Sequence, residues 1–255
     1  MIRGLYTAAS GMMTAMRRME LVTNNLANAQ TSGFKQERTA TSTFAEALIM
    51  QNGTPAPLTP QGPLGNLGMA TASEEPLLDF TQGALQETGR PLDVGLEGPG
   101  FFSVLGADGP RYTRDGGFTR DANGDITTSE GDLVLGEDGN PIRIPGGRME
   151  IEPDGSVLVE NQVVGKLAIV EFDLEQPLKK VGNNQFATRN EGDQPHAAVA
   201  TAVRQSFIEA SNVDMAGAQT TMLELQRAYD ASQRMIQYQD ELVGRAVNDI
   251  ARPAS

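Results

Sequence analysis

Residues 2–33, IRGLYTAASGMMTAMRRMELVTNNLANAQTSG, decide how the rest of the chain reads. Leu5, Met12, Met19 and Leu26 recur at a constant interval of seven, and Ile2, Ala9 and Met16 fill a second position of that repeat. Arg3, Ser10, Arg17 and Asn24 keep the same interval on a polar face. This spacing predicts a helix over roughly 2–30 with a coiled-coil-like stripe. Its methionines make a soft, adaptable seam. The helix then runs into Asn24, Asn25, Asn28 and Gln30. Amides compete with a helix for backbone hydrogen bonds, and they have no proton to exchange near neutral pH. Such a cluster either terminates a helix or contacts another chain. Gly33 supplies the left-handed conformation that stops the run.

The other end of the chain repeats the device. Met215, Met222, Tyr229, Ile236, Val243 and Ile250 recur at seven, with Ala218, Leu225, Ser232, Gln239 and Ala246 three places further along. Thr220, Arg227, Arg234, Glu241 and Asn248 mark the opposite face. A helix over about 212–250 is expected, on the order of 55 Å long at 1.5 Å per residue. Ser211 and Asp214 read as a capping box at its start, and Pro253 closes it. Neither stripe is satisfied alone in water. Packing of the two termini on each other and on copies of themselves is the economical arrangement.

Between the helices the pattern changes. Residues 51–68, QNGTPAPLTPQGPLGNLG, read as linker or extended loop. From about 77 to 190, short apolar runs such as FFSVL, DLVLG, SVLVE and KLAIVEF alternate with Asp-Gly and Asn-Gly. Those dipeptides between β-prone runs are strong hairpin signals. The expected organisation is α+β: an N-terminal helix and turn (1–36), an extended linker (37–76), a mainly antiparallel β domain (77–204) and a C-terminal helix (205–255). The two end segments together form one helical layer.

Composition narrows the function. The chain has 255 residues, a formal net charge of −13, no cysteine and one histidine. Residues 51–200 carry 10 basic and 23 acidic side chains, the whole of the net charge. A nucleic-acid partner is excluded, because binding phosphates needs a basic footprint. The neutral ends, in contrast to the acidic middle, point to ends that meet protein rather than water. Disulfides, thiolate metal sites and multi-histidine sites are ruled out, and no cofactor is expected. No run is long enough for a transmembrane helix, so direct membrane insertion is not expected. The arginine-interrupted N-terminus is no ordinary signal peptide.

Local patterns that could carry chemistry read better as structure. DANGDITTSEGD (121–132) alternates Asp121, Asn123 and Asp125 like half a calcium loop. Ile126 stands where that loop needs glycine and Asp132 where it needs glutamate, so a hairpin turn is expected. LEGPGFF (96–102) lacks the lysine and hydroxyl of a phosphate loop and reads as a turn into a buried strand. His196, in GDQPHAAV, has no serine or paired acid at catalytic spacing and is expected on a surface loop. A second reading, a secreted carbohydrate- or cell-wall-active β-domain enzyme on a helical stalk, requires two acids paired in a cleft of the middle domain.

IRGLYTAASGM at the start, NNLANAQTSGFK at 24–35 and SNVDMAGAQTTMLELQRAYDASQRMI at 211–236 resemble the end motifs of flagellar basal-body rod and hook proteins. RPLDVGLEGPGFFSVLGADGPRYTRDGGF (90–118) resembles the central segment of the rod proteins, proximal and distal alike. The resemblance implies a structural subunit, not an enzyme, that polymerises helically through its terminal helices. Its partners are then copies of itself, other rod and hook proteins, and the flagellar type III export apparatus. It also implies a basal-body location outside the cytoplasmic membrane, in periplasm or cell wall, reached without a cleaved signal peptide. On this reading the subunit interface comprises Leu5, Met12, Met16, Met19, Asn24, Asn25, Leu26 and Asn28 with Met222, Leu225, Tyr229, Ile236 and Val243, and Gly33 is the turn.

Overall fold

The computed structural model describes residues 2–39, 41–48, 66–73, 76–106, 109–172, 178–189 and 195–250. Two helices, α1 (Ile2–Ala27) and α2 (Met215–Ile250), enclose a run of short strands in the chain order. The chain divides into two compact units. One comprises residues 1–26, 37–77 and 215–255; the other comprises residues 27–36 and 78–214. The turn after α1 and the segment leading into α2 therefore belong to the β unit. The Pro- and Gly-rich stretch lies mostly outside the described residues. Its flanks, Thr41–Leu48 and Asn66–Ser73, pair as antiparallel strands rather than running as open linker.

α1 ends at Ala27, before Gly33, and α2 starts at Met215, which puts Asp214 at the N-cap position. Ser211 bonds instead to the Val213 amide, 3.3 Å away. Within the helical unit the two helices pass closely. A side-chain carbon placed on Gly11 would stand 3.6 Å from Ser232 Oγ. Gly11 sits between Ala8 and Ala15, both buried. Small residues on successive turns let a neighbouring helix approach closely, because interaxial distance is set by the side chains at the contact. On α2 the sheltered positions from Met222 onward are Met222, Leu225, Tyr229, Ser232, Ile236 and Gln239, which follow the seven-residue repeat.

In the β unit every described strand pairing is antiparallel. Phe101–Gly106 is central, pairing with Gly109–Thr113, Leu133–Val134 and Ile169–Glu171. Alternation along this strand sends Phe102 and Val104 into one apolar cluster, with Val94, Phe118, Ile126 and Val157. Phe101 enters a second cluster with Tyr112, Leu178 and Phe186. There the rings of Phe80, Phe101, Phe172 and Phe186 meet edge to face at 5.5–5.9 Å.

Asp121, Asp138 and Asp154 each accept hydrogen bonds from the backbone two residues on, closing tight turns with their own side chains. Asp121 also takes the Asp125 amide at 2.7 Å, so DANGD is a hairpin turn, joining Thr119–Arg120 to Ile126–Thr127. Two further hairpins turn through residue pairs with positive φ, Glu160-Asn161 and Asn183-Asn184. His196 lies on a short edge strand opposite Glu171, not in a loop, and is exposed.

Candidate functional site

Residues 31–36, after α1, are bonded to several separate parts of the β unit. Gly33 holds φ at 63°, and its amide donates to the Glu209 carbonyl at 2.7 Å. A side-chain carbon there would lie 2.4 Å from the Arg114 carbonyl carbon, so both conformation and space require glycine. The next residue, Phe34, is buried, with the Lys180 ammonium 4.3 Å above its ring. Ser32 offers its carbonyl to Asn184 Nδ2 at 2.6 Å.

Lys35 forms the centre of the joint. Its Nζ donates to Glu209 Oε1 at 2.6 Å and to the Thr81 carbonyl at 2.8 Å. Arg114 Nη1 lies 3.2 Å from Glu209 Oε2, and the Gly83 amide donates to Glu209 Oε1. All three charged side chains are at most 1% exposed. Burial pushes the Lys35 ammonium below the usual lysine range, against the pull of the Glu209 charge and hydrogen bond. Nearby Arg114 lowers it further. Burial also lowers Arg114, again opposed by Glu209. One carboxylate thus answers two buried cations, an arrangement that fixes geometry more than it adds stability.

Asn212 completes the joint. Its Oδ1 accepts the Gln36 amide at 2.8 Å, while its Nδ2 donates to the carbonyls of Asp79 and Thr81. The segments around 31–36, 79–83, 114, 184 and 209–212 are therefore pinned to one another by side chains that reach the backbone. Most of these contacts involve a residue of the motifs NNLANAQTSGFK or SNVD. Sequence reasoning missed Lys35, Arg114, Glu209 and Asn212 as a set, because nothing local pairs a lysine with a carboxylate 174 positions away.

The amides of α1 divide by role. Asn25 is 3% exposed, and its amide makes two bonds to its own chain. Nδ2 donates to the Glu37 carbonyl at 2.8 Å, and Oδ1 accepts the Glu37 amide at 3.0 Å. That pair of bonds pins the outgoing chain to the end of the helix. Asn28 accepts the Thr31 amide on its carbonyl and makes a side-chain bond to Thr31 Oγ1. Asn24 faces solvent.

The apolar positions divide as well. Leu5, Met16 and Val243 are exposed; Met12, Met19, Leu26, Met222, Tyr229 and Ile236 are half-buried; Leu225 is buried. Tyr6 and Met13 on α1, and Leu223, Met235, Tyr238 and Leu242 on α2, also leave large apolar surface in water. A groove on α2 is lined by Arg227, Asp230, Arg234, Met235 and Tyr238. Among the described residues no three acidic or histidine side chains converge as a metal site requires, and no helix is long and apolar enough to cross a membrane.

The joint holds distant segments of the chain in place, which is a structural role. Three family models match the chain in order. They are the flagella basal body rod protein over residues 5–35, the flagellar hook protein FlgE/F/G D1 domain over 95–159, and the flagellar basal body rod FlgEFG protein C-terminal over 204–249. The flagellar basal-body rod protein FlgG of Borreliella burgdorferi is 34% identical across 97% of this chain and 98% of its own. FlgG of Bacillus subtilis is 31% identical across 97% and 99%, and the flagellar basal-body rod protein FlgF of Caulobacter vibrioides is 33% identical across 99% of each. The chain belongs to the flagellar basal-body rod protein family, whose members are structural proteins, not enzymes.

Proposed function

We propose that the chain is a subunit of the flagellar basal-body rod that polymerises helically through its terminal helices into the shaft passing torque to hook and filament. It works outside the cytoplasmic membrane, in periplasm or cell wall, as a component of bacterial motility. Its partners are further copies and other rod and hook proteins. It reaches them through the flagellar type III apparatus with no cleaved signal peptide. In the assembled rod, α1 and α2 form a coiled-coil-like layer. Leu5, Met12, Met16, Met19 and Leu26 contribute to it on α1, and Met222, Leu225, Tyr229, Ile236 and Val243 on α2. Asn24 and Asn28 add polar contacts that fix register.

The observation that carries this reading is the exposure of large apolar side chains on both helices at once, at Leu5, Tyr6, Met13 and Met16 and at Leu223, Met235, Tyr238 and Leu242. Large apolar side chains left exposed along both helices suit an association face. Exposed apolar residues on two separate helices of one chain are compatible with head-to-tail contacts, which grow open helical assemblies rather than closed rings. The test is polymerisation of the purified chain, followed by sedimentation, with Leu223→Glu and Met235→Glu together. Loss of assembly with an unchanged thermal transition supports the reading; polymers that form as before, or that survive removal of residues 1–30 and 212–255, overturn it.

A further inference from the structure

The β unit also carries a cleft that the helices do not explain. It has a volume of about 550 Å³, with Leu92, Ile144 and Met149 as apolar lining and Arg120 and Arg148 as its two cations. One wall is held rigid. Gln205 donates through Nε2 to the carbonyls of Pro91 and Met149 and accepts the Ile151 amide on Oε1. Ser206, beside it, is locked at φ 66° by backbone bonds to Asp93 and Thr88. Non-glycine residues held in that region cluster at binding sites, where the surrounding structure enforces them.

The arginines make the cleft unusual. Elsewhere in this unit Arg90, Arg114 and Arg204 pair with carboxylates, and Arg143 donates to a backbone carbonyl. Arg111 bonds to Gln185, and Arg189 has a partner as well. The side chains of Arg120 and Arg148 alone among these arginines have no ion-pair or hydrogen-bond partner among the described residues, and both residues are exposed. They stand on a middle segment in which 23 acidic side chains face 10 basic ones. Two guanidinium forks beside an apolar floor suit a carboxylate carried on a short aliphatic stem.

We propose that this cleft binds an acidic turn of the β unit of a second copy of the chain. The charge balance selects that occupant: a neighbouring copy brings an acidic surface, and Arg120 and Arg148 stand together in one cleft as an exposed pair of cations with no carboxylate of their own. The contact is head-to-tail, cleft to turn, so it adds a second kind of bond to the assembly made by the helices. The inference rests on the rod reading above.

The test uses the full chain with Arg120→Glu and Arg148→Glu together, compared with wild type by sedimentation at low and raised salt and by swarming of a complemented rod-deletion strain. Both positions are exposed, so an unchanged thermal transition certifies folding. The expected result is self-association weakened at least about tenfold, with most of its salt dependence gone, and reduced swarming. Unchanged association and swarming overturn the inference. Retention of wild type but not the variant on an acidic glycan, with self-association intact, overturns the second copy as the occupant. If Leu223→Glu with Met235→Glu abolishes assembly while the arginine variant assembles normally, the cleft fails and the rod reading stands. A wild-type chain that never self-associates overturns both.

Discussion

Lys35 Nζ lies 2.6 Å from Glu209 Oε1, with both side chains out of water and 174 positions between them. This contact ties the segment leaving α1 to the segment entering α2, and Arg114 closes it from a third part of the chain. Its energetics are asymmetric, because one carboxylate serves two cations. Glu209→Leu strands both cations and is expected to destabilise the chain by about 3–5 kcal/mol. Lys35→Met leaves Glu209 with Arg114 and the Gly83 amide, so its cost should be roughly 1–2 kcal/mol. Urea unfolding of the two variants measures the difference. A lysine variant as damaging as the glutamate variant sinks the account.

Gly33 and Gly89 separate conformation from crowding. Both have positive φ, 63° and 70°, but a side-chain carbon at Gly89 meets nothing within 4 Å. Gly89→Ala should therefore cost about 1–2 kcal/mol, the left-handed penalty alone. Gly33→Ala adds a collision with the Arg114 backbone and should cost clearly more. Equal midpoints in thermal unfolding would show that the Arg114 contact does not matter.

Asn25 tests whether an amide in the helix serves the chain or its neighbours. Asn25→Ala removes two hydrogen bonds to Glu37 at a buried position, and about 1–3 kcal/mol of stability should be lost in the free chain. An alanine variant with native stability, impaired only in assembly, would transfer Asn25 to the interface.

The turn aspartates set an acid limit. Asp121 and Asp138 are held below the usual carboxylate range, the first chiefly by the Asp125 amide and the second by the Asn140 side chain. Asp154 is lowered chiefly by the Ser156 amide. A carboxyl whose folded pKa is depressed contributes stability above its unfolded pKa, near 3.9, and loses it as pH falls through the folded value. Stability should therefore decline below about pH 4. The decline should be shallower in a variant carrying Asp121→Asn, Asp138→Asn and Asp154→Asn. Asp115, raised by burial, acts in the opposite sense and remains in both proteins. Identical acid limbs in equilibrium unfolding would count against the hydrogen-bonded turns as the cause.

Local pattern carried much of the fold. The interval of seven in α2 matches its sheltered positions from Met222 to Gln239, and Asp-Gly and Asn-Gly turns mark the antiparallel middle. Both signals are local, since periodicity and turn chemistry act within a few residues of one another. The seam of α1 was less legible. Apolar spacing picks out Leu5 and Met16, which stay exposed and are proposed for assembly, but gives no sign of Ala8 and Ala15, which are buried on either side of Gly11. Close approach of two helices selects for small size, and a hydrophobic pattern does not register size.

The sequence by itself determined two terminal helices, an antiparallel middle, an acidic surface and, through its end motifs, a likeness to the flagellar rod proteins. Only the tertiary structure decided what TSGFK is for. Lys35 takes its meaning from Glu209, Thr81 and Arg114, and Gly33 from the Arg114 backbone. A buried charge must find its partner wherever the chain brings one, and such partners are chosen by closure of long loops rather than by neighbours in sequence.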